Sequence, residues 1–187
     1  TANVGEDAVF YVDAYGYVVY VDDATASEDY AYVIDLGQEG AFSSGGYVAK
    51  LLLTDGTVVT VDTDKDYRSG TSLIGHIVSY VEDDGEYTLT DLSAAAASDT
   101  GLNIDNGVAR MTINGTTVSA NSATIFLVYD SETDEYSVYT GIRNVPNITG
   151  KGGNTTDGEH ATDDDTFSTY YADGAVKVVY VEGADVE

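Results

Sequence analysis

The chain has 187 residues, of which 43% are hydrophobic, and its 33 acidic against 7 basic residues give a formal net charge of −26 at pH 7. That length suits one large or two small domains, and the apolar fraction is sufficient for a hydrophobic core. So negative a chain repels nucleic acid and anionic membrane surfaces, and no apolar run approaches the roughly 18 residues of a membrane helix. The chain has no cysteine, which excludes a disulfide framework and thiol catalysis.

Short runs rich in Val, Ile, Tyr and Thr recur along the chain and favour strands. In chain order they predict about thirteen strands, near 8–13, 17–22, 30–36, 47–54, 57–62, 73–81, 86–90, 108–113, 116–119, 123–130, 135–140, 166–172 and 175–182. The turn signals between them are Asp55-Gly56, Asp84-Gly85, Asn114-Gly115 and Asp173-Gly174. Such pairs supply the positive φ angles of type I′ hairpin turns. The pattern therefore predicts an all-β protein of consecutive hairpins.

A single segment interrupts the strand pattern. Residues 92–98, "LSAAAAS", favour a helix of one to two turns or a linker. Because the hairpins on both sides look self-contained, we predict two subdomains, 1–91 and 92–187, each a small antiparallel barrel or sandwich. A polar, acidic loop is expected over 150–165, in the second subdomain.

The first hairpin, "FYVDAYGYVVYVDD" at 10–23, is apolar on both faces of its second strand. A strand with one face in water alternates apolar and polar residues, whereas a strand covered on both faces does not. Two explanations follow from this pattern. Either a second subdomain of the same chain covers the outer face, or a neighbouring module does.

The end of the chain repeats its beginning. A shift of 160 residues places Val18-Val19-Tyr20-Val21-Asp22 on Val178-Val179-Tyr180-Val181-Glu182 without a gap. Two hairpins of Tyr and Val can look alike through composition alone. The other interpretation is a module whose ends share one template, taken from a longer tandem array.

Residues that carry catalysis are sparse. His76 lies in "LIGHIVSY" in register with Ile74 and Val78, which predicts a packed, hydrogen-bonded side chain. His160 has no second histidine nearby for a zinc site. The chain contains no nucleophile-elbow or phosphate-loop motif, and among 33 carboxyl groups no glycosidase pair stands out. We therefore expect a protein that is not an enzyme.

Calcium is the only cofactor that the sequence suggests. The segment 62–66, "DTDKD", opens like an EF-hand loop, but Tyr67 and Leu73 occupy the positions of the required Gly and Glu. The better candidate ligands lie together in one acidic run, Asp157, Glu159, Asp163, Asp164 and Asp165. Several carboxylates in one loop can bind a hard cation. A solvated loop without a cofactor is the alternative.

Sixteen tyrosines form the second surplus of the composition. Tyrosine has an apolar ring and a polar tip, which suits packing between strands and at interfaces. Exposed aromatic rings also stack on sugars, so a carbohydrate-binding or adhesive module is the alternative function.

Six phrases carry a resemblance that spans most of the chain. In order they are "FYVDAYGYVVYVDD", "DYAYVIDLG", "AKLLLTDGTVVTV", "LIGHIVSYVEDDGEYTLTDL", "IFLVYDSETDEYSVYTGIRNVPNI" and "GAVKVVYVEG". They resemble β-rich modules of S-layer homology (SLH) domain-containing cell-surface proteins of Gram-positive bacteria. The resemblance implies export, a surface location and a structural or adhesive role, with no active site. These residues contain no S-layer homology domain of their own.

The sequence thus predicts a secreted structural module of a bacterial surface layer, stalk or filament. Its expected partners are neighbouring copies or modules of the same surface protein, and wall or host glycans under the alternative. Contact is expected through edge strands and Tyr/Val faces near both ends of the chain. The candidate interface residues are Tyr11, Tyr17, Val19, Val21, Tyr171, Val179 and Val181.

Overall fold

The protein is built from β-strands throughout the part of the chain that can be described. The computed structural model describes residues 8–12, 18–23, 29–40, 45–92, 101–151 and 167–182, with the backbone alone at 8–12, 18–23 and 149–151. These residues form fifteen strands, and they contain no helix of the length and apolarity needed to cross a membrane. The all-β prediction is confirmed. The Ala-rich stretch after Leu92 lies outside the described residues.

Five strands from the first half of the chain close into a barrel. They are β3 (Asp29–Gln38), β4 (Tyr47–Leu53), β5 (Val58–Thr63), β6 (Ile77–Asp83) and β7 (Glu86–Asp91). Their order is β3-β4-β5-β7-β6, and every neighbouring pair is antiparallel except β5 with β7. Because each strand has a partner on both sides, the barrel has no free edge.

The second half of the chain builds two four-stranded sheets. The central sheet has the order β12 (Glu135–Thr140), β11 (Ile125–Asp130), β15 (Ala175–Glu182), β14 (Phe167–Ala172). The outer sheet has the order β10 (Thr116–Val118), β9 (Arg110–Ile113), β8 (Leu102–Asp105), β13 (Ile148–Lys151). Neighbouring strands are antiparallel apart from β11 and β15, which run parallel.

The central sheet lies between the other two layers. Its first face shares a sandwich core with the outer sheet, formed by Leu102, Ile104, Met111, Phe126, Val128, Ile142, Val145, Ile148, Phe167, Val176, Val179 and Val181. Its second face packs on the outside of the barrel through an interlayer cluster formed by Tyr32, Leu52, Ile77, Leu127, Val178 and Tyr180. A third cluster of alternate residues fills the barrel interior. The fold is therefore three layers deep.

This layering explains why β15 is apolar on both faces. Val179 and Val181 enter the sandwich core, whereas Val178 and Tyr180 meet the barrel. The ring of Tyr180 stacks on Tyr32 of the barrel with 3.4 Å between centroids and 9° between planes. For β15, the covering layer thus comes from the same chain, which is the first of the two explanations considered above.

Two short strands of the structure are missing from the strands predicted from the sequence. β8 and β13 have four residues each, and Asn103 and Asp105 of β8 are poor strand formers. The one feature of the sequence that indicates β8 is the period-two spacing of Leu102 and Ile104, both of which are buried. Since β13 extends to Lys151, the polar loop expected from residue 150 begins later; its remaining residues lie outside those described.

Three of the four turn predictions are confirmed. Both central residues have positive φ at Asp84-Gly85 (52° and 90°), at Asn114-Gly115 (54° and 72°) and at Asp173-Gly174 (54° and 75°). The prediction for Asp55-Gly56 is wrong, because only Gly56 has a positive φ, 88°. There the loop is longer, and the Asp55 carboxylate accepts a 2.8 Å hydrogen bond from the Thr57 N–H.

Gly141 and Gly115 differ in how closely another backbone segment approaches them. Gly141 has φ +90°, and a Cβ there would lie 3.1 Å from the Ser122 carbonyl oxygen; Gly115 has φ +72° and open space around it. We expect Gly115→Ala to cost about 1 kcal/mol of unfolding free energy for the strained backbone alone. Gly141→Ala should cost more, about 2–3 kcal/mol, because the methyl group also meets backbone. Equal urea midpoints for the two variants would contradict the close approach.

Candidate functional site

His76 is the one described histidine, and it forms a pair with a carboxylate. Its Nδ1 lies 3.0 Å from each oxygen of Asp91. Because an ionised carboxylate only accepts hydrogen bonds, Nδ1 is the donor. The prediction of a hydrogen-bonded His76 is confirmed. The pair joins the start of β6 to the end of β7, and it fastens that end of the barrel.

Two of the three carboxylates of the "DTDKD" segment, Asp64 and Asp66, bind groups of their own chain. Asp64 accepts a 2.7 Å hydrogen bond from the Tyr67 hydroxyl, which in turn accepts one from the Leu89 N–H. Asp66 forms a bidentate ion pair with Arg68, whose Nε donates to Oδ1 at 2.9 Å and whose Nη2 donates to Oδ2 at 3.1 Å. These hydrogen bonds lower the pKa of Asp66 to about 2. The segment follows β5 as a turn of the barrel, and these two carboxylates stabilise that turn.

Over the ranges that the structure describes, no group of three or more His, Asp or Glu side chains is placed to hold a metal ion. The predicted calcium ligands Asp157, Glu159, Asp163, Asp164 and Asp165 lie outside the described residues. Calcium binding by that run therefore stays a prediction.

The described tyrosines mostly pack against one another. Tyr129 and Tyr136 are direct cross-strand partners, with ring centroids 4.7 Å apart. Other ring pairs are Tyr30 with Tyr170, Tyr32 with Tyr180, and Tyr80 with Tyr87. Within the described residues the only tyrosine among the exposed large hydrophobic side chains is Tyr171, at 39%. Three of these pairs belong to the interlayer cluster or pack against it, whereas Tyr80 and Tyr87 pack against the barrel interior.

The predicted interface residues form three groups: two buried valines, one exposed tyrosine, and the residues predicted near the N-terminus. Val179 and Val181 are 0% and 1% exposed in the sandwich core, so their side chains do not reach the surface. The prediction that these two valines contact a neighbour is corrected by the structure, because the outer sheet already covers that face. Tyr171, at the far end of β14, is exposed and accessible.

The remaining interface predictions fall in the N-terminal hairpin. Tyr11 lies in β1 (Ala8–Val12), Val19 and Val21 lie in β2 (Val18–Asp23), and Tyr17 lies outside the described residues. β1 and β2 pair with each other in a separate two-stranded sheet, and no other described strand pairs with either. Among the described strands, β1 and β2 therefore have only each other as partners.

This hairpin and the β14–β15 hairpin share their construction. Each is antiparallel, and each has a register shift close to the turn, between Tyr11 and Val12 in one and between Tyr170 and Tyr171 in the other. The same tetrapeptide, "VVYV", occupies 18–21 in β2 and 178–181 in β15. The second copy is enclosed by described layers on both faces.

Four strands form the edges of the two larger sheets. They are β12 and β14 in the central sheet and β10 and β13 in the outer sheet. Every second residue of an edge strand directs its N–H and C=O groups away from the sheet, where another strand can pair with them. Sequence patterns predicted β12 as a strand but not as an edge, because edge position depends on the order of strands and not on their composition.

Comparison of the chain with protein-family models, with curated proteins and with solved structures finds no match.

Proposed function

We propose that this chain is a structural module of a bacterial cell-surface assembly, such as a surface layer, stalk or filament, and that it is exported. Modules associate when the N-terminal hairpin of one copy, residues 8–23, adds to the sheet of another. In such β-augmentation, main-chain hydrogen bonds supply affinity while the alternation of side chains sets the register. The proposed role is assembly and not catalysis.

The observation that carries this proposal is the pairing of the hairpin. β1 and β2 have no further described strand beside them, and a two-stranded hairpin is marginally stable by itself in water. Its sequence, "AVFYV" and "VVYVDD", is nevertheless strongly apolar. A third strand from a neighbour would stabilise the hairpin and complete its main-chain hydrogen bonds.

The described layers leave little apolar surface for a neighbouring copy to cover. Because β15 is enclosed by the chain itself, the C-terminal valines give no support to assembly. Most large apolar side chains of the described layers are also internal; the exposed exceptions are Val58, Ile74, Val81, Val108 and Tyr171. The proposal therefore depends on the N-terminal hairpin, whose strands are apolar in sequence and have only each other as described partners.

Charge sets the conditions under which copies can meet. A formal net charge of −26 makes identical chains repel each other. Near physiological ionic strength, salt largely screens the repulsion between charges that are more than about 8–10 Å apart. Association should therefore strengthen as salt rises, in contrast to contacts that depend on opposite charges.

Variants of β2 test the proposal. Val19→Lys combined with Val21→Lys places two charges on the strand that would pair with a neighbour. We expect light scattering and electron microscopy to show large assemblies for the unaltered chain at high concentration and moderate salt. The double variant should associate at least about tenfold more weakly, since burying an unpaired ammonium group costs more than the 1.4 kcal/mol that a factor of ten represents.

The matched control adds the same two charges to the closed barrel. Thr60→Lys with Thr88→Lys changes exposed positions of β5 and β7, which have no free edge. This control should assemble like the unaltered chain. A strictly monomeric unaltered chain at high concentration, in low and high salt and with or without calcium, would refute the proposed function.

A further inference from the structure

The four edge strands differ in how well they are protected against pairing. Natural edges are protected by shortness, bulges, lysine, proline or a covering element. β10 has three residues. β13 has four, with an irregular register and Lys151 at its end. β14 has a register shift after Tyr170, and its Ser168 hydroxyl donates a 2.6 Å hydrogen bond to the Gly75 carbonyl of the barrel.

Within the part of the chain that the structure describes, β12 has none of these protections. Its six residues, "EYSVYT", pair with β11 in an unbroken register from Glu135 to Thr140. It contains no proline and no lysine. The side-chain amide of Asn144 donates to the Thr140 carbonyl oxygen at 2.6 Å, so the unprotected length is 135–139. Among the edges of the described sheets, this one best fits an added strand.

The layers on either side of β12 fit a strand that is apolar on both faces. Tyr136 and Val138 face the barrel, where Val138 lies against the turn at Gly56, and a Cβ added to that glycine would be 3.3 Å from the valine methyl. Tyr139 faces the other way and packs against the sandwich core. A strand placed beside β12 would therefore meet apolar residues above and below, as β15 does beside β11.

An exposed apolar residue marks the same place on the barrel. Val58 is 36% exposed and is the cross-strand partner of Leu52, which belongs to the interlayer cluster. It follows directly after the 54–57 turn that lies against β12. A strand added at β12 would cover this side chain.

From these observations we infer that the outer edge of β12, residues 135–139, is the acceptor for the β2 strand of a second copy. The inference rests on the proposed function and assigns its contact surface. β2 is the suitable donor because its "VVYV" is the tetrapeptide that β15 already places beside β11 with both faces covered. Donor and acceptor are different surfaces, so the contact is head-to-tail, and repeated addition of copies gives a ring if the rotation closes and an open chain if it does not.

Disulfide trapping tests the assignment in the full-length protein, because the natural chain has no cysteine. One protein carries Ser137→Cys at an exposed position of β12. A second carries Val19→Cys or Tyr20→Cys, which together sample both faces of β2. After mixing under assembling conditions and mild oxidation, we expect a mixed disulfide dimer for at least one β2 position, identified by mass spectrometry. It should form at least about tenfold faster than with a control acceptor.

The control acceptors are cysteines at exposed positions elsewhere. Thr60→Cys lies on the closed barrel, Thr117→Cys on β10 and Tyr171→Cys on β14. Preferred coupling of β2 to β10 or β14 would refute the β12 assignment while leaving edge-strand assembly intact. Preferred coupling of Ser137→Cys to itself would replace the head-to-tail contact with a β12-to-β12 dimer and would also refute it.

Two further results separate this inference from the proposed function. Assemblies that form normally while no acceptor exceeds Thr60→Cys would overturn the hairpin contact at β12 alone. Absence of any assembly by light scattering, before oxidation, would overturn the proposed function and this inference together.

Discussion

Replacing Leu52 with alanine is expected to lower the free energy of unfolding by about 2–5 kcal/mol, although Leu52 points away from the barrel interior. Its side chain is 0% exposed because it belongs to the interlayer cluster with Leu127 and Val178 of the central sheet. Truncation removes apolar contact and leaves a cavity between two layers that cannot move independently to fill it. Urea denaturation followed by far-UV circular dichroism measures the loss.

The neighbouring strand supplies the matched control. Val58 is the direct partner of Leu52 on the same outer face of the barrel, but 36% of it is exposed. Val58→Ala should cost less than about 1 kcal/mol in the monomer. A Leu52→Ala loss no larger than that of Val58→Ala would show that the barrel and the central sheet do not share a core.

The same cluster predicts how the molecule unfolds on heating. Because residues of the barrel and of the central sheet bury one another, their transitions should coincide, with equal calorimetric and van't Hoff enthalpies. Leu52→Ala should then lower a single transition temperature. Two separated transitions, with only the first one shifted, would contradict a common interlayer core.

The protein is expected to unfold in alkali, between about pH 10 and 12, because burial or a hydrogen bond raises the pKa of several tyrosines in the folded chain. Burial, followed by a hydrogen bond to Asp64, raises the pKa of Tyr67 to about 12. A hydrogen bond to Asp134 raises the pKa of Tyr129 to about 12, and burial strongly raises the pKa of Tyr180. A tyrosine in the unfolded chain ionises near pH 10.

The sign of the effect follows from linkage. A group whose pKa is higher in the folded chain favours the folded state fully below about pH 10, and this contribution is lost as the pH rises through the folded value. Far-UV circular dichroism and tyrosinate absorbance near 295 nm, followed together, should therefore change in one late step. Complete ionisation near pH 10 with an unchanged dichroism spectrum up to pH 12 would contradict the prediction.

A phenylalanine variant tests whether the Tyr180 hydroxyl contributes to the loss of stability in alkali. Tyr180→Phe keeps the ring that stacks on Tyr32 but removes the hydroxyl that ionises. It should lose less unfolding free energy between pH 9 and pH 12 than the unaltered chain, measured by urea denaturation at each pH. Tyr171→Phe is the control. Burial also raises the pKa of Tyr171, but 39% of this side chain is exposed, so its removal should change the slope less than the removal of the Tyr180 hydroxyl.

The sequence by itself determined the β-class, most of the strands and three of the four dipeptide turns. These features depend on local chemistry: β-branched and aromatic residues favour extended backbone, and Asp-Gly or Asn-Gly pairs tolerate the positive φ angles that a two-residue hairpin requires. The failure at Asp55-Gly56 is local as well, since the Asx bond to Thr57 favours a longer loop. The short strands β8 and β13 were missed because a few residues hold little periodicity.

Tertiary structure alone decided which apolar faces are covered and which strand edges stay open. "VVYV" occurs in β2 and in β15, and nothing within those four residues distinguishes them. In β15 the barrel and the outer sheet enclose both faces, so Val179 and Val181 are core residues; in β2 no third described strand is present. The physical reason is that strand composition sets how much apolar surface must be buried, whereas the order of strands in the sheets sets which partner buries it.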